Sequence, residues 1–305
     1  MLSGARGREG SEVMSGEQWT KVMNFVELLR LPLLVVPAAL GTCGVFLSYG
    51  NHDFITLTIG ALLPSFAWAG GLVFNDYFDR ESDMIAHPER PIASGSISKQ
   101  EGIVYGLSFY AVCLVLSFLV SIYCLLVSLV VVISKTIYPY LGYIKREGIL
   151  RNACFGVAVG FCILLGATIG GNISPLVLLV TIVGVLIYTG DNILGRFPDI
   201  EVDRAMGART LPIQIGLKPA AMLALLLTIA AVGIIMLLWL LGLHRSYLPT
   251  ASIAGISLIL LSLAVFVDPE RFGTDESIIY LRYMGQLLLY MSFIIGTIGG
   301  GIRGA

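Results

Sequence analysis

Charge is what this chain has least of. Asp, Glu, Lys and Arg together make up 13% of its 305 residues, about half the usual share of a soluble globular protein. Basic and acidic residues nearly cancel, 19 against 20. No basic stripe of the kind that nucleic acid requires can be drawn from such a balance. The five cysteines (Cys43, Cys113, Cys124, Cys154, Cys162) show no CxxC spacing and fall in apolar runs, so they read as small buried hydrophobes, not a disulfide framework or a zinc site. The first 20 residues contain no apolar stretch and are rich in Gly, Ser and charge. They predict a disordered tail without a cleavable signal peptide, in which Met14 is an alternative start. Residues 21–305 are expected to form a single transmembrane domain.

Apolar sequence is plentiful. Hydrophobic residues reach 56% and glycine contributes 35 positions, and the mean hydropathy is +0.87. A spanning helix needs roughly 20 mostly apolar residues. Nine such segments are found, near 29–49, 54–75, 103–121, 122–138, 153–170, 174–193, 219–242, 249–267 and 284–302. The third and fourth nearly abut, which leaves eight as the alternative count. Continuous apolar runs exclude a barrel, whose strands alternate, and lipid tolerates no irregular backbone. The expected fold is an all-α membrane protein with nine transmembrane helices in a single bundle, without a visible obligate protein partner.

The placement of charge orients the bundle. With nine spans, 17 of the 19 basic residues fall on one face, counting Lys135 at the end of the fourth span with the loop that follows. Basic residues collect on the cytoplasmic side, so the N terminus is expected there. Every acidic residue except Asp53 lies on that same face. The orientation rule does not require this, because acids contribute little to it.

Those acids form two clusters. Asn75, Asp76, Asp79 and Asp83 follow the second span, with Asn75, Asp79 and Asp83 spaced i, i+4, i+8, one face of a helix. Like charges at i, i+4 repel unless a cation lies between them. Asp199 and Asp203 repeat the i, i+4 pair after the sixth span, with Pro198 well placed near a helix start. Two facing carboxylate pairs make an all-oxygen site suited to Mg²⁺, which keeps several waters and takes one or two carboxylates plus substrate phosphates. Arg90, Lys145, Arg146, Arg204 and Arg209 lie nearby in sequence, and guanidinium groups hold phosphate oxygens in bidentate fashion. A diphosphate is the ligand this chemistry describes. Solvated helix caps are the ordinary explanation of one such pair, but two pairs in alternate loops of one face point to function.

At these residues the chain resembles the UbiA superfamily of intramembrane prenyltransferases. The NDxxDxxxD motif is matched by Asn75, Asp76, Asp79 and Asp83, and RPxxSG by Arg90, Pro91, Ser94 and Gly95. DxxxD followed by DRxxGxxTLP is matched by Asp199, Asp203, Arg204, Gly207, Thr210, Leu211 and Pro212. Glu27-Leu28-Leu29-Arg30 before the first span and the order of elements fit as well, over residues 20–302. The family's Tyr and Lys after the fourth helix correspond to Lys145 and to one of Tyr138, Tyr140 and Tyr143, and Asn152 resembles the asparagine that follows. One departure is Gly195-Arg196-Phe197-Pro198, where many relatives carry Lys-Asp or Arg-Asp.

The resemblance implies Mg²⁺-dependent transfer of a polyprenyl group from its diphosphate to a lipophilic or aromatic acceptor at the cytoplasmic side of the cell membrane. Asn75, Asp79, Asp83, Asp199 and Asp203 would bind metal, and Asp76, Asp79 and Asp203 would be the catalytic carboxylates. Asp76 would stand behind the metal ligands or on the acceptor side. Arg90, Lys145, Arg209 and Tyr138 would hold the diphosphate. Aromatic faces that can stabilise an allylic cation are offered by Trp68, Phe74 and the three tyrosines. The acceptor is left open among a quinone-precursor phenol, a chlorophyllide-type propionate and geranylgeranylglyceryl phosphate. A membrane terpene cyclase acting on the same diphosphate is the enzymatic alternative. A secondary transporter fits less well, since transporters carry their acids at the midplane.

Overall fold

The computed structural model describes residues 16–50, 52–144 and 148–301. Among them, nine helices are long and apolar enough to cross a membrane, and no strand occurs. The chain opens with α1 (Gly16–Leu28), followed by a 3₁₀ turn (Leu31–Leu34) and α2 (Val35–Leu47). Then come α3 (Phe54–Phe78), two short helices, α4 (Arg80–Ala86) and α5 (Pro91–Ser94), and the long α6 (Lys99–Val120) and α7 (Ile122–Tyr143). The middle of the chain holds α8 (Gly148–Gly170), α9 (Pro175–Leu194), and the short α10 (Ile200–Ala205) and α11 (Leu211–Ile215). The last third holds α12 (Leu217–Leu237), α13 (Leu248–Val267), the short α14 (Pro269–Phe272) and α15 (Glu276–Gly301).

The expected tail over 1–20 needs correction at its end. Residues 1–15 lie outside the described residues, but 16–20 are the first turns of α1. That helix is held down from one side. Lys21 pairs with Glu101 of α6, the Phe25 ring meets Tyr105 edge-on at 4.8 Å, and Leu28 is buried with Val73, Ile92 and Ile97. The count of nine rather than eight rests on Ser121. Its extended backbone (φ −171°, ψ 161°) separates α6 from α7, and its hydroxyl accepts from Cys124 N at 3.0 Å as a helix cap.

The long helices pack as a ring. Contacts run from α2 through α3, α7, α8, α9, α12 and α13 to α15, and α15 returns to α2. Lipid supplies no hydrophobic force between helices, so close backbone approach must do the work, and small residues allow it. Gly41, Gly44, Gly60, Gly166 and Gly170 bring α2, α3 and α8 together. A Cβ on Gly166 would lie 1.9 Å from the Gly41 carbonyl oxygen, and one on Gly44 would lie 1.9 Å from that of Ile163. These glycines lie toward the start of α3 and the end of α8, the end of the bundle away from both acidic clusters. Near the clusters, larger side chains (Trp68, Tyr138, Phe155, Tyr188) hold the helices apart around a cavity. All five cysteines are free, and four are buried.

Candidate active site

The first acidic cluster sits where α3 gives way to α4. Asp79 leaves helical geometry (φ −85°, ψ 4°), while the i→i−4 hydrogen bonds continue across it, Asp79 N to Asn75 O and Asp83 N to Asp79 O, each 2.8 Å. Asn75, Asp79 and Asp83 therefore still stack as their spacing predicts. The Asn75 amide donates to Asp79 Oδ2 at 2.9 Å. Asp83 is buried. One of its oxygens accepts from Arg90 Nη1 at 2.6 Å, and the other, Oδ2, has no partner among the described residues. Asp76 is buried on the other side of the helix, paired with Arg30. Arg30 occupies the left-handed region (φ 43°, ψ 58°) between α1 and the 3₁₀ turn, a costly conformation for a residue other than glycine.

The RPxxSG stretch has a plain structural reading. Arg90 is extended, Pro91 opens α5, the Ser94 hydroxyl returns to the Pro91 carbonyl at 3.2 Å, and Gly95 ends the turn at φ 82°, a conformation glycine adopts without strain. The hairpin so formed aims Arg90 back at Asp83.

The second cluster repeats the geometry of the first. Asp199 has φ −93° and ψ 2° and precedes α10, and Asp203 N bonds to Asp199 O at 2.8 Å. Gly207 (φ 70°) turns the chain toward Thr210 and α11.

The two clusters share a hollow. A mouth of about 230 Å³ is lined by Asp79, Glu81 and Ser82 from the first cluster, by Asp203 from the second, and by Arg151 and Arg196. An inner cavity of about 440 Å³ is lined near its mouth by Asn75 and Asp199 and farther in by Trp68, Lys135, Tyr138 and Phe155. Arg196 lines both and so stands between the two volumes. Among the described residues, no three Asp, Glu, His or Cys side chains converge into a preformed cage. That suits Mg²⁺, which binds one or two carboxylates and completes its shell with water and phosphate oxygens. The carboxylates of Asp79 and Asp203, on one mouth, fit such an ion.

Some expected residues stand elsewhere. Asp83 and Arg90 are absent from both linings and are committed to each other. Arg209 is exposed and lines neither volume, and its carbonyl accepts from Gly148 N and the Gln214 side chain. Lys145 lies outside the described residues. Among the three tyrosines, Tyr138 lines the inner cavity, Tyr143 lines the mouth, and Tyr140 is half-exposed against Phe78. Phe74 stacks on Tyr110 at 5.3 Å and takes no part in the lining.

Other residues enter that the motifs did not nominate. Arg151 lies 4.6 Å over the Tyr138 ring and donates from Nε to its carbonyl at 3.2 Å. Arg196 donates to the Tyr138 hydroxyl, which donates to Asn192, and Asn192 donates to Asn152. This chain of polar groups ties α7, α8 and α9 together beside the cavity. Asp191, in the inner lining, accepts from Arg282 and Gln286 of α15. The departure at Gly195-Arg196 is thus where a cation enters the site.

Residues 34–285 match the model of the UbiA prenyltransferase family. The chain belongs to this family. As a UbiA-family prenyltransferase, it is similar to the digeranylgeranylglyceryl phosphate synthase of Pyrococcus furiosus, 28% identical over 92% of this chain and 100% of that one. The enzyme of the same description from Korarchaeum cryptofilum is 30% identical over 88% of this chain and 97% of its own. Among solved structures, one described under "biosynthesis of Digeranylgeranylglyceryl phosphate synthase in membranes" superposes with a TM-score of 0.76 at 26% identity, over 92% of this chain and 99% of that one. A UbiA homolog from Archaeoglobus fulgidus, solved with GPP and Mg²⁺, shares the fold with a TM-score of 0.70 at 19% identity, over 90% and 99%.

Proposed function

We propose that this prenyltransferase transfers a geranylgeranyl group from its diphosphate to the free hydroxyl of geranylgeranylglyceryl phosphate, forming a second ether. The observation that carries the metal chemistry is that Asp79 and Asp203, 124 residues apart in sequence, line one cavity mouth. The acceptor follows the description shared by the relatives from Pyrococcus furiosus and Korarchaeum cryptofilum, each matched over nearly its whole length. Asn75, Asp79, Asp199 and Asp203 would hold Mg²⁺, with Asp83 behind them. Bound there, the ion would neutralise the diphosphate and so weaken the allylic C–O bond.

The protein's own groups account for the rest. Arg151 and Arg196, at the mouth, would hold diphosphate oxygens. The allylic C1–O bond to the diphosphate breaks, a C1–O bond to the acceptor forms, and the acceptor hydroxyl's proton passes to the departing diphosphate. Water would intercept the allylic cation, and the apolar inner walls keep it out. Asp76 and Arg30 neutralise each other beside the motif. The distribution of basic residues supports a cytoplasmic N terminus and a cytoplasmic mouth.

The deciding experiment supplies purified protein in nanodiscs with geranylgeranyl diphosphate and geranylgeranylglyceryl phosphate and reads the products by mass spectrometry. A digeranylgeranyl ether formed with Mg²⁺ and lost in EDTA is expected. A cyclic hydrocarbon made without acceptor, or transfer to an aromatic acceptor alone, would overturn the assignment.

A further inference from the structure

Lys135 was counted with the loop charges in the sequence, yet it stands within α7 and is 4% exposed. Its stem runs past Gly71 of α3, where a Cβ would lie 2.3 Å from the lysine Cε. The ammonium nitrogen ends 3.5 Å from the Trp68 ring centroid and 5.6 Å from that of Phe155. All three residues line the inner cavity.

Two other charges in that lining have counter-ions. Arg30 is paired with Asp76, and Asp191 with Arg282. Among the described residues, no carboxylate, carbonyl or hydroxyl accepts from Lys135. Beside it, the indole Nε1 of Trp68 is buried and also lacks an acceptor. A charged group inside a membrane bundle is costly and marks function by default, and an aromatic face compensates it only in part. Both orphaned donors lack the same thing, an oxygen atom, and the ammonium calls for a negative one.

We infer that Lys135, assisted by Trp68, recognises the anionic oxygens of the second substrate, a phosphate-bearing lipid alcohol. This rests on the transfer reaction proposed above. The diphosphate is served elsewhere, at the mouth, whose lining does not include Lys135. Trp68 precedes Asn75 by two turns of α3, which is about 10 Å along the helix. A glyceryl phosphate seated with its phosphate on Lys135 keeps its free hydroxyl on the side of the acids, where the allylic carbon is released. Lys135 is then a specificity residue, selecting a charged acceptor over a neutral one.

The test compares geranylgeranylglyceryl phosphate with the uncharged geranylgeranylglycerol, by direct binding to protein in nanodiscs and by KM. Wild-type protein should prefer the phosphate by ~10–100-fold, the worth of a charge-assisted contact. Lys135→Met and Lys135→Gln should erase that preference and leave KM for geranylgeranyl diphosphate unchanged. Trp68→Phe keeps the ring and removes the donor, and should lower the preference by about 2–10-fold. A wild-type protein without the preference, or a folded Lys135 variant that retains it, overturns the inference. So does an equal loss toward both acceptors and the diphosphate, which marks a structural role. Should wild type form no ether at all, the proposed reaction fails, while the binding comparison still decides what Lys135 does.

Discussion

Arg196, which lines both the mouth and the inner cavity, donates from Nη2 to the Tyr138 hydroxyl at 3.0 Å. The bond fixes a cation from the turn after α9 against an aromatic of α7. It gives Arg196 a defined position from which to meet a phosphate. Arg196→Ala is therefore expected to raise KM for the prenyl diphosphate by ~10–100-fold, as for loss of a hydrogen bond to a charged group. Tyr138→Phe leaves the guanidinium in place but removes its tether, together with the bond to Asn192, and should cost about 2–10-fold. Steady-state kinetics with varied diphosphate separates the two, and an Arg196→Ala enzyme with unaltered KM would remove that residue from the site.

The metal assignment is tested at the facing acids. Asp79→Ala and Asp203→Ala should each lower turnover by about 10²–10⁴-fold, corresponding to several kcal/mol of lost charge stabilisation. Both proteins should still insert and elute as wild type on size exclusion. EDTA should silence wild type, and added Mg²⁺ should restore it. Full turnover in either variant contradicts a metal shared between the two clusters.

Arg282 and Asp191 form a buried ion pair between α15 and α9. Breaking such a pair leaves one charge stranded, at a cost of about 3–5 kcal/mol. Arg282→Met should lower the melting temperature of the purified protein markedly. Asp191→Leu combined with Arg282→Met should recover much of the loss, because neither charge then remains. A double variant no more stable than the single one would show that the pair contributes something other than mutual neutralisation.

Glycine packing gives a contrast within one measurement. Gly166→Val places side-chain atoms where the Gly41 carbonyl already stands, and should abolish folded, monodisperse protein. Gly233 of α12 has no atom near its Cβ position. Gly233→Ala should therefore be neutral, or stabilising by up to ~1 kcal/mol through its effect on the unfolded chain. Fluorescence-detected size exclusion with a heating series reads both.

The spans were legible because each is a local property of about 20 residues, and the helices differ from expectation mainly by extending farther on the side of the acids. The metal motifs were legible for a similar reason, since an i, i+4 pair is local and two pairs on one face need only a count of spans. What the sequence concealed is contact between distant segments. Arg282 meets Asp191 across 91 positions, and neither residue carries a motif. Arg90 looked like a phosphate ligand by residue type, yet the turn at Gly95 folds it onto Asp83. Lys135 was misread because a lysine near the end of an apolar run ordinarily extends toward the interface, and nothing local reveals that Gly71, on another helix, leaves it room inside. The helix over residues 16–28 escaped because its partners, Tyr105 and Glu101, belong to α6.

The tight lacing of α2, α3 and α8 through glycine has a consequence for the membrane itself. It closes these three helices on one another at the end of the bundle remote from the carboxylates. Pyrophosphate released at the mouth would leave on the side of the acids that line it. Water admitted beside the acids would find no path between those three helices, which would let a cell carry out ionic chemistry within its bilayer without short-circuiting the gradients that the bilayer maintains.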